Sequence, residues 1–310
     1  MQNLLEKVPK QINEAFKLGN RKIEGKIDKI IVCGMGASGI TGDILKDIVK
    51  EIPVVVSKDY NIPEYVDSNT LAFVISYSGN TEETISAYEK IKKKTKKVVV
   101  IAATGRLADE KGAIIVPPVI PTRYGLHYLF FPILKVLEKS KVIGRQDKNV
   151  KEAIRAIKSI DKKQTKKIAS QLKDKTPIIC VPNRYKSIGV RWRQQFNENS
   201  KVQAINLVFP ELDHNALEGY NSPGKFELIV IRDKNESERE RRRIEITEKL
   251  LSKHIPVNEV WMRGKSDLAK IFYAIYFGDW MTYQLGIIDR INPYENKLII
   301  FLKKQLKKVR

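Results

Sequence analysis

The sequence predicts an α/β protein of two doubly wound domains, each a parallel β-sheet covered by helices on both faces. Three observations carry this. Short Val/Ile-rich runs alternate with helical stretches in the first half of the chain, and near-continuous apolar runs are what strands buried on both faces require. The same alternation restarts near residue 176. Cys33 and Cys180 hold comparable places in the first strand of each half. The 310 residues give each domain enough chain for its own core, and the division is expected at 1–147 and 148–310.

The elements follow in order. "MQNLLEKVPKQINEAFKLG" has the spacing of an amphipathic helix. "KIIVCG" (29–34) reads as a strand and "SGITGDILKDIVKE" (38–51) as a helix. "PVVVSKDY" (53–60), "LAFVISYS" (71–78), "KVVVIAAT" (97–104) and "AIIVPP" (113–118) read as further strands. "NTEETISAYEKIKKK" (80–94) reads as a helix opened by Asn80, with Glu83 completing a capping box. "YGLHYLFFPILKVLEKSKVI" (124–143) is an apolar helix that closes the first half, and a Lys-rich helical segment covers 147–173. "TPIICVPNRYKSIGVRWRQQFNENSK" (176–201) is again strand, loop and helix. "VQAINLVFP" (202–210), "FELIVIRD" (226–233) and "PVNEVWMRG" (256–264) are strands, with the helix "ESERERRRIEITEKLLSKH" (236–254) between the last two. The second half repeats the pattern but has no Gly-rich loop.

Composition narrows the function class. Lys and Arg number 57 against 36 Asp and Glu, a net charge of +21. That balance favours anionic ligands. The lysines are spread along the whole chain, as on solvated helix faces, so nucleic acid is not an expected partner. The two cysteines lie in apolar runs and read as buried thiols of a reducing compartment. Three histidines, His127, His214 and His254, without a Cys/His cluster argue against a zinc site. No apolar run is long enough to span a bilayer, and a cytoplasmic enzyme with no membrane partner is expected.

Two loops carry the chemistry. "IIVCGMGASGITGD" (30–43) holds Gly34-x-Gly36-x-x-Gly39 between a strand and a helix. Free N–H groups at a helix N-terminus suit a phosphate, and small residues, Ala37 among them, let it approach closely. A dinucleotide is one candidate ligand, with Asp59 near the place of its ribose-binding acid. Ser38 adds a hydroxyl. A second loop, "ISYSGNTEET", sets Ser76, Ser78 and Thr81 around Gly79 at the next strand–helix junction. In a parallel sheet both loops lie at the carboxyl edge, where four hydroxyls and several N–H groups form a pocket for a phosphate monoester. The dinucleotide reading leaves the second loop unexplained.

The pair "G-x-G-x-S-G" and "S-x-S-G-x-T-x-E" resembles the SIS (sugar isomerase) domain of phosphosugar-binding proteins. "RWRQQFNENSK" (191–201) and "PELDHNALEGY" (210–220) resemble motifs of the archaeal-type bifunctional phosphoglucose/phosphomannose isomerases. The resemblance covers nearly the whole chain. It implies an aldose–ketose isomerase of two SIS domains, a homodimer, and no metal or nucleotide cofactor. Carried over, it implies that Ser38, Ser76, Ser78 and Thr81 hold the phosphate with help from the Ala37 backbone. Gly36 and Arg123 of "PTRYGL" would contact substrate, Arg123 as the arginine that closes over it. Glu198 matches the catalytic base and His214 the ring-opening histidine, reaching into the partner subunit's pocket. Lys303, with Lys304 as its rival, matches the lysine of the C-terminal helix. The chain also departs from the family. Ala37 replaces the third glycine of G-M-G-G-S-G, and Asp213-His214-Asn215-Ala216 replaces N-H-N-E, which sets an acid beside the imidazole. The competing readings are a non-catalytic phosphosugar-binding regulator and a dinucleotide oxidoreductase.

Overall fold

The protein is described by a computed structural model covering residues 2–221, 224–306 and 308. Two parallel sheets form its frame. The first contains β1 (Lys29–Cys33), β2 (Val54–Ser57), β3 (Thr70–Ser76), β4 (Val98–Ala102) and β5 (Ile114–Ile115), in the order β2-β1-β3-β4-β5. The second contains β6 (Thr176–Pro182), β7 (Ile205–Phe209), β8 (Phe226–Arg232) and β9 (Val257–Trp261), in the order β7-β6-β8-β9. The inner order repeats, and so does the register: Cys33 pairs with Val74 as Cys180 pairs with Val230. Both thiols are buried and free, as read from the sequence.

Helices cover the sheets: α1 (Gln2–Leu18), α2 (Gly36–Ile48), α3 (Glu82–Ile91), α4 (Leu126–Lys139), α5 (Asp147–Lys158), α6 (Lys162–Gln171), α7 (Lys186–Gln195), α8 (Glu238–Leu251), α9 (Asp267–Ile288) and α10 (Lys297–Leu306). The Lys-rich segment is thus two helices. Helix α3 starts later than expected and without the capping box. Thr81 is its N-cap residue and makes no side-chain cap bond. The Asn80 amide oxygen instead accepts the Arg106 N–H at 3.0 Å, which ties the loop to the β4 exit.

Helix α9 holds the halves together. Residues 268–282 are buried without interruption, and one apolar cluster runs from Ile30, Phe73 and Phe131 through Phe272 and Phe277 to Ile179 and Ile231. Helices α2 and α7 meet across the join, where the Asp47 carboxylate accepts the Ser187 N–H at 2.8 Å. Burial pushes Asp47 up to about 6 against the opposing Ser187 bonds. Helix α10 is the opposite case. It buries none of its residues, and Leu298, Ile300, Phe301 and Leu302 face solvent. Among the described residues no helix is long and apolar enough to cross a membrane.

Candidate active site

The first hydroxyl loop joins β1 to α2. The Ser38 and Gly39 amides are taken by the Met35 carbonyl, which leaves Gly36 and Ala37 as the donors of the opening turn. Gly34 is required by crowding, because a Cβ there would lie 2.8 Å from the Ile75 carbonyl oxygen of β3. The second loop follows β3. Gly79 turns it with φ +65°, and a Cβ there would lie 1.8 Å from the Thr104 carbonyl oxygen. The two loops are bonded to each other: the Tyr77 N–H donates to Ser38 Oγ at 3.4 Å. Ser76 Oγ donates to Thr81 Oγ1 at 3.0 Å, and Ser78 Oγ accepts the Asn80 N–H at 3.4 Å. Ser38, Ser76, Ser78 and Thr81 therefore stand on two adjoining loops at one sheet edge, Ser78 exposed and Ser76 buried.

The Tyr77 ring carries the arrangement onward. A Cβ on Gly125 would lie 2.5 Å from it, so the 3-10 turn Thr122–Gly125 rests against the second loop. Burial pushes the Tyr77 hydroxyl up to about 12, and as a neutral donor it bonds the Pro117 carbonyl. Arg123 leaves this turn as a residue only 2% exposed. Nε donates to Asn199 Oδ1 at 2.8 Å, Nη1 to Glu198 Oε2 at 3.1 Å, and Nη2 to the Pro293 carbonyl. Arg123 is thus committed to Glu198 and its surroundings on every arm of the fork.

Glu198 lies in the π-helical turn Phe196–Ser200 at the end of α7, a geometry frequent at functional sites because it re-aims side chains. Its side chain keeps 28% of its surface exposed. The Asn199 beside it is buried and donates to Thr282 Oγ1 of α9 at 3.0 Å, which fixes the amide that holds Arg123. Behind it Arg191 donates to the Arg123 carbonyl at 2.8 Å and pairs with buried Asp279 at 3.4 Å. Burial raises Asp279 against that pairing. Lys201 has φ +56° after the π turn and donates to the carbonyls of Glu198 and Glu295. Burial, and then the Arg123 charge, hold Lys201 below the usual lysine range.

Two residues implied by the resemblance stand apart from this cluster. His214 is exposed on the 3-10 turn Glu211–His214 after β7. The acid beside the imidazole is paired with α8: the Asp213 carboxylate accepts Arg243 Nη1 at 2.9 Å and Thr247 Oγ1 at 2.8 Å. Lys303 and Lys304 are exposed on α10. Sequence reasoning passed over Asn199, Lys201 and Asn296, the last donating to Glu198 Oε2 at 3.2 Å. Asn199 and Lys201 stand within the quoted "FNENSK", whereas Asn296 had no local signal. Among the described residues no group of three or more His, Cys, Asp or Glu side chains is placed to hold a metal ion.

Comparison with known proteins matches residues 25–124 to the SIS domain and residues 161–306 to the bacterial phospho-glucose isomerase C-terminal SIS domain. The chain is 39% identical to a bifunctional phosphoglucose/phosphomannose isomerase of Thermoplasma volcanium, over 96% of this chain and 95% of that one. It is 35% identical to the protein of the same name from Caldicellulosiruptor bescii, over 98% of each. In fold it superposes on a hypothetical protein of Thermus thermophilus with a TM-score of 0.77 at 14% identity, covering 99% of this chain and 88% of that one. With two relatives above 30% identity along almost its whole length, the chain belongs to the family of bifunctional phosphoglucose/phosphomannose isomerases.

Proposed function

We propose that this chain interconverts glucose 6-phosphate and mannose 6-phosphate with fructose 6-phosphate. The observation that carries the reading is the part-exposed Glu198 carboxylate bonded by buried Arg123, whose 3-10 turn rests against the second hydroxyl loop. The family membership supports the same chemistry. Ser38, Ser76, Ser78 and Thr81 hold the phosphate by hydroxyls, with the Gly36 and Ala37 amides, through neutral donors at a helix N-terminus.

In the open-chain aldose, Glu198 takes the C2 proton. The C–H electron pair becomes the C1–C2 double bond and the carbonyl electrons move to O1, which is protonated to give a cis-enediol. Glu198 then returns the proton to C1 as the O2–H proton leaves, and the ketose carbonyl forms at C2. One carboxylate serves both carbons. Both C2 epimers reach the same enediol, so dual activity needs only room for either hydroxyl. Arg123 steadies the charge that develops on O1. His214 and Lys303 serve ring opening, which needs a proton at the ring oxygen.

The chain divides at 147/148 and works as a homodimer in which His214 serves the partner's site. The bare apolar surface of α10 and the exposure of His214 support this. A coupled assay of fructose 6-phosphate formation tests the activity; its absence with both aldose phosphates overturns the reading. Co-refolding Glu198→Gln with His214→Ala tests the sharing. Each homodimer is inactive, and random pairing restores about a quarter of wild-type activity because half the chains sit in heterodimers with one intact site of two. No recovery, in a sample shown by mass to contain heterodimer, rejects the shared site alone.

A further inference from the structure

The Glu198 carboxylate is held unevenly. Arg123 Nη1 at 3.1 Å and Asn296 Nδ2 at 3.2 Å both reach Oε2. Among the described residues Oε1 receives no hydrogen bond, while the side chain keeps 28% of its surface exposed. An ionised carboxylate only accepts, so its contact fixes which end of the Asn296 amide faces it.

Asn296 is itself held by a short strap between α9 and α10. The Asn292 Oδ1 atom accepts the Tyr294 N–H at 3.0 Å. The Pro293 carbonyl accepts from Arg123, and the Glu295 carbonyl accepts Lys201 Nζ at 2.6 Å. The Asn296 carbonyl takes the Ile300 N–H at 3.0 Å, so the residue opens α10 while its side chain turns back to the carboxylate. The strap thus touches the Arg123 guanidinium, the Glu198 side chain and the Lys201 ammonium in three contacts. Among the described residues, Arg123 of the 3-10 turn and Lys201 after the π turn are the charged groups bonded to Glu198, and Glu295 of the strap meets Lys201. The Glu295 carboxylate pairs with Lys297 at 2.8 Å. Behind them lies the Arg191–Asp279 pair between α7 and α9.

We infer that Asn296 is a positioning residue for the proton-transferring carboxylate: with Arg123 it occupies Oε2 and leaves Oε1 as the oxygen that carries the proton between C1 and C2. The inference rests on the assignment of Glu198 as base. Two donors on Oε2 prevent the carboxylate from rotating, so a single oxygen stays aimed at both carbons.

The experiment compares kcat and KM of wild type, Asn296→Ala, Asn296→Asp and Asn292→Ala, with Glu198→Gln alongside. Removing the donor lowers kcat about tenfold with KM within about twofold, because the carboxylate loses its aim while substrate binding is untouched. The aspartate keeps the shape but only accepts when ionised, so it is no more active than the alanine variant. A part that only propped the strap would be rescued by that shape, and Asn292→Ala, which loosens the strap without touching the carboxylate, keeps kcat within about twofold. The inference is overturned if Asn296→Asp keeps wild-type kcat while Glu198→Gln is inactive. Activity retained by Glu198→Gln removes the base assignment instead. Should the alanine variant fail to fold, the aspartate variant carries the test.

Discussion

The two sheets repeat one plan and put opposite things at its working edge. Counting from the register-matched pairs Cys33–Val74 and Cys180–Val230, Ser38 corresponds to Tyr185, and Tyr77 to Asp233. In the first sheet the loop from β1 sets Gly36, Ala37 and Gly39 around Ser38, whose Oγ meets a backbone N–H of the neighbouring loop. In the second, the Tyr185 hydroxyl donates to Asp233 Oδ2 at 2.6 Å, Lys270 pairs with the same oxygen at 2.9 Å, and Arg184 lies at 3.4 Å. On the proposed reading one edge offers its donors to a ligand, whereas the other satisfies its donors with a carboxylate of its own. Strand order alone does not make a site; the size and polarity of a few loop side chains do.

That contrast can be broken by mutation. Asp233→Ala should have the largest effect and no catalytic one. It leaves Lys270 buried without its counter-charge, and loss of one partner of a buried pair costs about 3 to 5 kcal/mol. Denaturant unfolding should show that loss while kcat/KM stays within about twofold. A fall in activity without a fall in stability would place Asp233 in the working site and end the comparison.

The join between the halves gives the next effect. Asp47 is pushed up to about 6 by burial, so the native state binds more protons than the unfolded chain between about pH 4 and pH 6. Below that window the carboxyl is neutral in both states and costs nothing. As pH rises through the window stability falls, by about 3 kcal/mol at most for a shift of this size. Asp47→Asn should flatten this part of the stability profile, read as the urea midpoint against pH. An unchanged slope would show that other groups set it.

The smallest effect belongs to the open edge. Ser78→Ala removes one neutral, exposed donor, worth about 1 kcal/mol, and should raise KM for fructose 6-phosphate about fivefold with kcat little changed. If Ser78→Ala and Ser38→Ala both leave KM unmoved, the first sheet's loops are as idle as the second's.

Much of the fold could be read from the chain because buried parallel strands announce themselves as Val/Ile runs. The inner strands of both sheets coincide with such runs, whereas the edge strand β9 interleaves Asn258 and Glu259 with its valines. Helix α9 could not be read this way. It is buried all round, so no polar face breaks its apolar residues into a period. Asn80 misled for a local reason: its amide found the Arg106 N–H across the loop and left the helix to begin later. The site divides along the same line. The hydroxyl loops are local and visible as spacing. The Arg123–Glu198 pair joins residues 75 apart and the Asn296 contact residues 98 apart, and only the folded chain brings them together. Glu198, His214 and Lys303 were singled out by resemblance, since nothing in their own neighbourhoods distinguishes them from an ion-pair partner, an exposed histidine and a solvated lysine.

The matched cysteines have a practical consequence. Each lies on an inner strand of its sheet with no exposed surface, and burial drives both thiols upward, Cys33 to about 12. At neutral pH the thiolate that reacts with an alkylating reagent is all but missing from the native state. The chain therefore carries two internal clocks, one per sheet. The rate at which a mass label arrives at Cys33 or at Cys180 times the opening of that sheet alone, and the difference between the two rates measures how far the halves come apart independently.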